Sequence, residues 1–259
     1  MKIATFNINS INARLDILTN WLKTTDLDIV FLQEIKCEEI KFPLFEINSL
    51  GYEAKVLGQK SYNGVAILSK HKLTNIIEGI PNFEDTNSRY LQAEFEYNKE
   101  KYLVASIYLP NGAPIEDENK FGYKLKFMEA LYKHIKNLLK EHKNIILGGD
   151  FNTILTANDV YNEKSYWGGA LYHPEVMSRF KAFEHLGVYD AYRAKYPTQE
   201  GYTYFDYMRN AFNLNNGLRI DYFLISPALV DRIEDVYVNK ELRAQEKPSD
   251  HTPLILSIK

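Results

Sequence analysis

Apolar residues fall along this chain in many short runs separated by polar turns. Runs at residues 2–8, 28–33, 64–69, 91–97, 102–108, 144–147, 220–225 and 254–258 have the length and β-branched or aromatic content of strands. Fewer segments carry the helical period. Residues 12–23 place Leu15, Leu18 and Leu22 on one face, and residues 120–140 do the same with Leu125, Met128, Leu131, Ile135 and Leu138. Residues 174–186 open on Pro174, tolerated in a first turn because its missing N–H has no partner there anyway, and stop at Gly187. Strands outnumber helices, which predicts packed sheets with helices outside them. No Pro/Gly/Ser-rich linker, charge block or repeat divides the chain, so one domain over residues 1–259 is expected.

Composition narrows the setting. Hydrophobic residues make up 45% and charged residues 25%, an ordinary soluble balance. Cys37 is the only cysteine, which rules out an intrachain disulfide and fits a reducing compartment. The first turns of the chain hold Asn7, Asn9, Asn12, Arg14 and Asp16 rather than a signal-peptide core, and no apolar run reaches membrane-spanning length. A cytoplasmic protein without membrane contact is expected. The net charge of −3 counts mildly against a nonspecific nucleic-acid binder. A central metal and a few Lys and Arg on one face would offset it.

The polar residues at the ends of the strand-like runs carry the chemistry. Asn7 and Asn9 close the first run, Gln33-Glu34 the second, and Tyr108-Leu109-Pro110-Asn111 another. Gly148-Gly149-Asp150-Phe151-Asn152 follows an apolar strand, Arg219-Ile220-Asp221 opens one, and Ser249-Asp250-His251 precedes the last. Oxygen ligands converging at one edge of a sandwich make a hard-cation site. In extended geometry Asp150 and Asn152 point to the same side, and together they would hold a water and donate to a phosphate oxygen. Asp250-His251 supplies a group that titrates near neutrality. Each motif alone has a bland reading: an Asx turn for Asp150, a solvated strand end for Glu34, a structural salt bridge for Arg219 and Asp221, a packed phenol for Tyr108.

Taken in order over nearly the full chain, these motifs resemble the endonuclease/exonuclease/phosphatase superfamily. Phe6-Asn7-Ile8-Asn9, Leu32-Gln33-Glu34 and the segments at 216–224 and 246–253 resemble its exonuclease III branch of apurinic/apyrimidinic endonucleases. The resemblance implies a four-layered α/β sandwich, two facing mixed sheets flanked by helices. It implies a Mg²⁺-dependent phosphodiesterase, with Mn²⁺ as the alternative ion, working by in-line attack of water on phosphorus. Its products would be DNA cut 5′ to abasic sites and 3′ ends trimmed of nucleotides or blocking groups. Glu34 would be the principal metal ligand, with Asn7, Asp250, Asp150 and Asn152 around the ion. Asp150 would position or deprotonate the water, Asn152 and Tyr108 would contact the phosphate with Asn111 in the same strip, and His251, oriented by Asp221, would stabilise its charge. Which of Asp150 and His251 is the base stays open at this point. Tyr204, Leu218 and Ile220 match the wall of a pocket for a base-free sugar. Met208 and Arg209 belong to a DNA-facing loop, and Trp167 sits in a second candidate loop at 158–173. The implied partner is double-stranded DNA with abasic sites or 3′ ends, bound by a monomer. Phosphoinositide or sphingomyelin hydrolysis on the same core, and a non-catalytic binding module, are the alternatives.

Overall fold

All eight predicted strands form in the computed structural model, which describes residues 1–259, and four more join them. They make two six-stranded mixed sheets. One runs β11 (Ile233–Val238), β12 (Leu254–Ile258), β1 (Lys2–Asn7), β2 (Ile29–Gln33), β4 (Val65–Ser69), β3 (Glu53–Leu57). The other runs β5 (Thr74–Glu78), β6 (Tyr90–Tyr97), β7 (Glu100–Tyr108), β8 (Ile145–Asp150), β10 (Asp221–Ile225), β9 (Tyr189–Asp190). The four strands that the pattern did not predict, β3, β5, β9 and β11, are the four sheet edges.

Alternation along each strand sorts the side chains into layers. In β2, Ile29 and Phe31 enter the core between the sheets, where Ile146, Phe223 and Leu256 meet them. Val30 and Leu32 face outward, under Leu18, Trp21 and Leu22 of α1 (Leu15–Thr24) and Ile47 of α2 (Leu44–Asn48). On the far side, Ile145 and Leu147 face outward beneath α3 (Phe121–Glu141) and α5 (Pro174–Leu186), through Met128, Leu131, Ile135, Phe180 and Phe183. The result is four layers, helix, sheet, sheet, helix. Short helices α4 (Glu163–Tyr166), α6 (Ala191–Lys195) and α7 (Pro227–Val230) fill corners. Helix α5 matches its predicted bounds, with Gly187 at φ 109° as its left-handed stop. Helix α1 starts later than predicted, after Arg14, whose backbone is not helical and whose guanidinium donates to the carbonyls of Asn9 and Pro248.

The Gly148-Gly149 pair serves packing. A Cβ on Gly148 would lie 2.6 Å from Phe31 and 2.7 Å from Phe223, in the middle of the inter-sheet core. A Cβ on Gly149 would meet the backbone of Ile107 on the neighbouring strand. Gly148→Ala should therefore overpack the core and destabilise the fold by about 1–3 kcal/mol in urea unfolding. A loss under about 0.3 kcal/mol would show that Phe31 and Phe223 have room to give.

Candidate active site

Two parallel strand pairs, one in each sheet, end at the same edge of the sandwich. β1 pairs with β2 in the register Asn7↔Gln33, and β7 with β8 in the register Tyr108↔Asp150. β10 runs antiparallel to β8 and starts at the same level, Asp221↔Asp150. Beneath this edge, buried Gln33 ties the sheets together: its Nε2 donates to Ser106 Oγ (3.0 Å) and its Oε1 accepts from Thr5 Oγ1 (3.2 Å). Above it, the Asn7 amide donates to Glu34 Oε1 and to Asp150 Oδ2, each at 2.9 Å. The side-chain oxygen Oδ1 of Asn7 accepts from the Asn9 N–H at 3.1 Å, which fixes the amide's orientation. Glu34 itself is left-handed, φ 49°, a sparsely populated state for a side-chain-bearing residue. Its other oxygen pairs with Lys36 Nζ at 2.8 Å.

His251 completes the cluster from the turn before β12. Its Nδ1 lies 2.8 Å from Asp221 Oδ2 and its Nε2 3.6 Å from Asp150 Oδ2. Thr203 locks Asp221: its hydroxyl donates to Asp221 Oδ2 (2.5 Å) and accepts from the Asp221 N–H (3.2 Å). Ser249 Oγ donates to the Asn7 carbonyl (2.7 Å), joining the His251 turn to β1. Burial works against a charged imidazole, but the facing carboxylates of Asp221 and Asp150 outweigh it and lift His251 to about 10. Burial, reinforced by Asp221 and opposed by His251, raises Asp150 to about 7. Burial also raises Glu34, yet the hydrogen bonds from Asn7 and Lys36 overcome it and hold the carboxyl below its usual range. Tyr108 stays a neutral phenol, since burial and then the charges of Glu34 and Asp150 raise it far above its ordinary value. The Arg89 guanidinium stacks on its ring at 4.6 Å.

These groups fit a hard cation. Asp150, Asp221 and His251 offer ligand atoms within 4.8 Å of one another. His251 as an imidazolium has no lone pair to give, so oxygens dominate the donor set: Asp150 and Glu34 share the Asn7 amide, and Asp221 Oδ1 is buried without any hydrogen-bond partner. A divalent ion would suit that free oxygen, although the carboxylate's charge is already met by His251 through Oδ2. Asp250 lies at the rim, its Oδ1 accepting from Asn9 Nδ2 at 3.0 Å.

Other expected residues fall differently. β8 ends at Asp150, and Asn152 is not extended but left-handed, φ 45°, with its N–H on Asp150 Oδ1 (2.9 Å). The Asx turn and the convergence therefore coexist, since Asn152 Nδ2 still lies 3.4 Å from Asp150 Oδ2 and donates to the Leu109 carbonyl at 2.9 Å. Asn111 Nδ2 donates to Asn152 Oδ1 (3.2 Å), which joins the two amides. Arg219 makes no pair with Asp221. It lies just ahead of β10, fully buried, with Nε on Asp159 Oδ1 (2.6 Å) and Nη1 on Asp190 Oδ2 (2.7 Å). Leu218 and Ile220 are each 2% exposed, packed with Ile154, Val160 and Tyr172. Instead of forming an open wall, they belong to a buried cluster, with Val160 and Tyr204 bridging to Leu218 on either side. The open cavity here, about 260 Å³, is lined by Tyr161, Tyr166, Tyr204, Met208 and Arg209 among others. Tyr204 sets its ring edge-on to His251, centroids 5.1 Å apart. Trp167 is half exposed against Tyr172 and faces a groove along α5, apart from the His251 cluster.

With this geometry in view, the chain belongs to the Endonuclease/Exonuclease/phosphatase family, whose pattern matches residues 4–251. Within that family it is similar to exodeoxyribonuclease III of Haemophilus influenzae, 33% identical over 262 residues and 98% of each chain. Two solved structures resemble it closely. A variant of the 3′ phosphatase NExo from Neisseria, bound to a product DNA hairpin, superposes with a TM-score of 0.95 at 34% identity, covering 100% of this chain and 99% of its own. An AP endonuclease from Archaeoglobus fulgidus superposes with a TM-score of 0.94 at 32% identity, covering 100% and 99%. The chain is thus a phosphoester hydrolase of the exodeoxyribonuclease III kind.

The raised His251 makes a stability prediction. Because the fold favours the imidazolium, its contribution is complete below the ordinary value of 6.5 and fades as pH rises towards about 10. Asp150, also raised, acts in the same direction, its contribution fading between 3.8 and about 7. The melting temperature of the EDTA-treated protein should fall between pH 6.5 and pH 10, and His251→Gln should flatten that fall. A variant with the wild-type slope would place the charge elsewhere.

Proposed function

We propose that this protein is a Mg²⁺-dependent DNA repair nuclease that cuts duplex DNA 5′ to abasic sites and trims or unblocks 3′ ends. Mn²⁺ is the alternative ion. The observation that carries the reading is the buried pairing of a cationic His251, held by Asp221, with a basic Asp150 across 3.6 Å. A cation and a base side by side suit attack of water on an anionic phosphodiester. The similarity to a 3′ phosphatase bound to a DNA hairpin and to an AP endonuclease supports DNA over phosphoinositide as the substrate.

In this reading Glu34, with Asn7 and Asp250 beside it, would hold the divalent ion, which would supply Lewis-acid polarisation of a phosphoryl oxygen. Asp150 takes the proton of the attacking water, since burial has made its carboxylate basic. His251, whose burial cost is outweighed by the Asp221 and Asp150 carboxylates, is favoured as an imidazolium and in this reading donates to the developing charge on the phosphate. The P–O3′ bond breaks as the water oxygen bonds to phosphorus, and the departing 3′-oxyanion takes a proton from solvent. Asn152, Asn111 and Tyr108 contribute neutral donors around the same phosphate. Tyr161, Tyr166 and Tyr204 line the cavity for the displaced sugar, a step that is least costly where the base is already gone. No helix is long and apolar enough to cross a membrane. A single domain, acting as a monomer in the cytoplasm, completes the proposal.

The test compares four substrates with and without EDTA: an abasic duplex, a recessed 3′ end, a 3′-phosphorylated duplex and a phosphoinositide. EDTA-sensitive cleavage of the first three, and none of the last, is the expected result. Glu34→Gln keeps the shape but removes the charge, and should cut turnover by about a hundredfold or more, partly restored by raised Mg²⁺. An unchanged Mg²⁺ dependence in that variant would move the metal elsewhere. His251→Ala should lose about a hundredfold or more in turnover, with far weaker effects on DNA binding.

A further inference from the structure

Lys124, in the first turn of α3, is fully buried. Its ammonium donates to three backbone carbonyls: Asn152 at 2.6 Å, Ala170 at 2.8 Å and Asn111 at 3.1 Å. Burial draws Lys124 down to about 7 against the attraction of the Asp150 carboxylate; in its charged form the ammonium has three N–H donors, all engaged by these carbonyls, and none left for a substrate. The three carbonyls come from three segments far apart in sequence. One is the turn after β7, which carries Asn111. The next is the turn after β8, which carries Asn152. The last is the loop that holds Trp167, three residues before Ala170. The lysine stem is in close contact as well: a Cβ on Gly112 would lie 2.7 Å from Lys124 Cδ, so the turn bearing Asn111 runs directly over it.

Lys124 lies on the buried stripe of α3 with Phe121, Phe127, Met128 and Leu131; an apolar residue there would avoid the desolvation cost of an ammonium but would leave the three carbonyls without this donor, so a structural role is the reading the test must separate. What the charge does provide is a common anchor for strained and irregular backbone. Asn152 is held left-handed, and its side-chain oxygen is the acceptor for Asn111. The two amides are therefore fixed at both ends, to each other through their side chains and to one ammonium through their backbones.

We propose that Lys124 is a positioning residue for the hydrolytic reaction, fixing Asn111, Asn152 and the Trp167 loop in one arrangement without touching the substrate. The inference rests on the functional reading above. Its test is a double-mutant cycle on the full chain with saturating Mg²⁺ and an abasic duplex: wild type, Lys124→Met, Asn152→Ala and the double variant. Lys124→Met should lower kcat by about 10-fold to 100-fold, because displacement of a positioned group by about 1 Å has costs of that size. Its KM should change by less than about threefold, and it should cost less than about threefold more once Asn152 is already Ala. Losses that multiply independently, or a loss confined to KM, would overturn the proposal by making Lys124 an ordinary structural residue or a DNA contact. Should Lys124→Met fail to give a folded protein by circular dichroism, Lys124→Gln, which keeps an N–H pair, takes its place in the same cycle with the same outcomes. A wild type inactive on every DNA substrate would remove the functional reading, and this inference with it.

Discussion

A single amide stands between two carboxylates that arrive from opposite sheets. Asn7 closes β1 and donates to Glu34 on its own sheet and to Asp150 on the facing one, both at 2.9 Å. Carboxylates brought this close repel each other, and burial makes each charge costlier still. The amide's two N–H groups, the Lys36 ammonium on one side and the His251 imidazolium on the other are what allow them to meet. The remaining arrangement serves that meeting. The registers Asn7↔Gln33 and Tyr108↔Asp150 bring two parallel pairs to one level, and Gln33 bonded to Ser106 and Thr5 fixes the spacing of the sheets just below.

Which parts of this were legible in the sequence follows from where each residue lies. Interior strands are buried on both faces or flanked on both edges, so β1, β2, β4, β8, β10 and β12 read as continuous apolar runs. Edge strands pair on one side only. Glu53–Leu57 is half-buried throughout and Thr74–Glu78 mostly exposed, and their charged or amide residues erase the apolar pattern. The candidate site residues stood out because they end strands and recur in a fixed order. Those that complete the site by tertiary contact did not. Thr203 sits among tyrosines with no local signal of its bond to Asp221. Lys124 left one trace, a cation on a helical stripe otherwise filled by Phe127, Met128 and Leu131. Leu218 and Ile220 were legible as apolar, but only the fold shows them buried with Val160, and Tyr161 and Tyr166 facing the cavity.

Arg219 joins regions of the fold that are far apart in sequence. It is buried completely, stacked on Tyr222 at 4.4 Å, and bonded to Asp159 and Asp190, while Arg193 closes the network on Asp159. Breaking a buried pair on one side leaves an uncompensated charge and is strongly destabilising. The network thus couples the 156–161 turn, which leads into Tyr161, to the segment that delivers Asp221 to His251. Pocket wall and imidazole orientation share one rigid support.

The pairing of β1 with β12, Lys2 against Ser257, ties the cluster to contacts of very long range. Ser249, whose hydroxyl joins the His251 turn to the Asn7 backbone, lies 242 positions along the chain from Asn7. Without β12, β1 has one unpaired edge and the cluster lacks its imidazole. Any intermediate or fragment that lacks β12 therefore has an incomplete site and a row of free backbone N–H and C=O groups, the feature that makes open strand edges prone to aggregate.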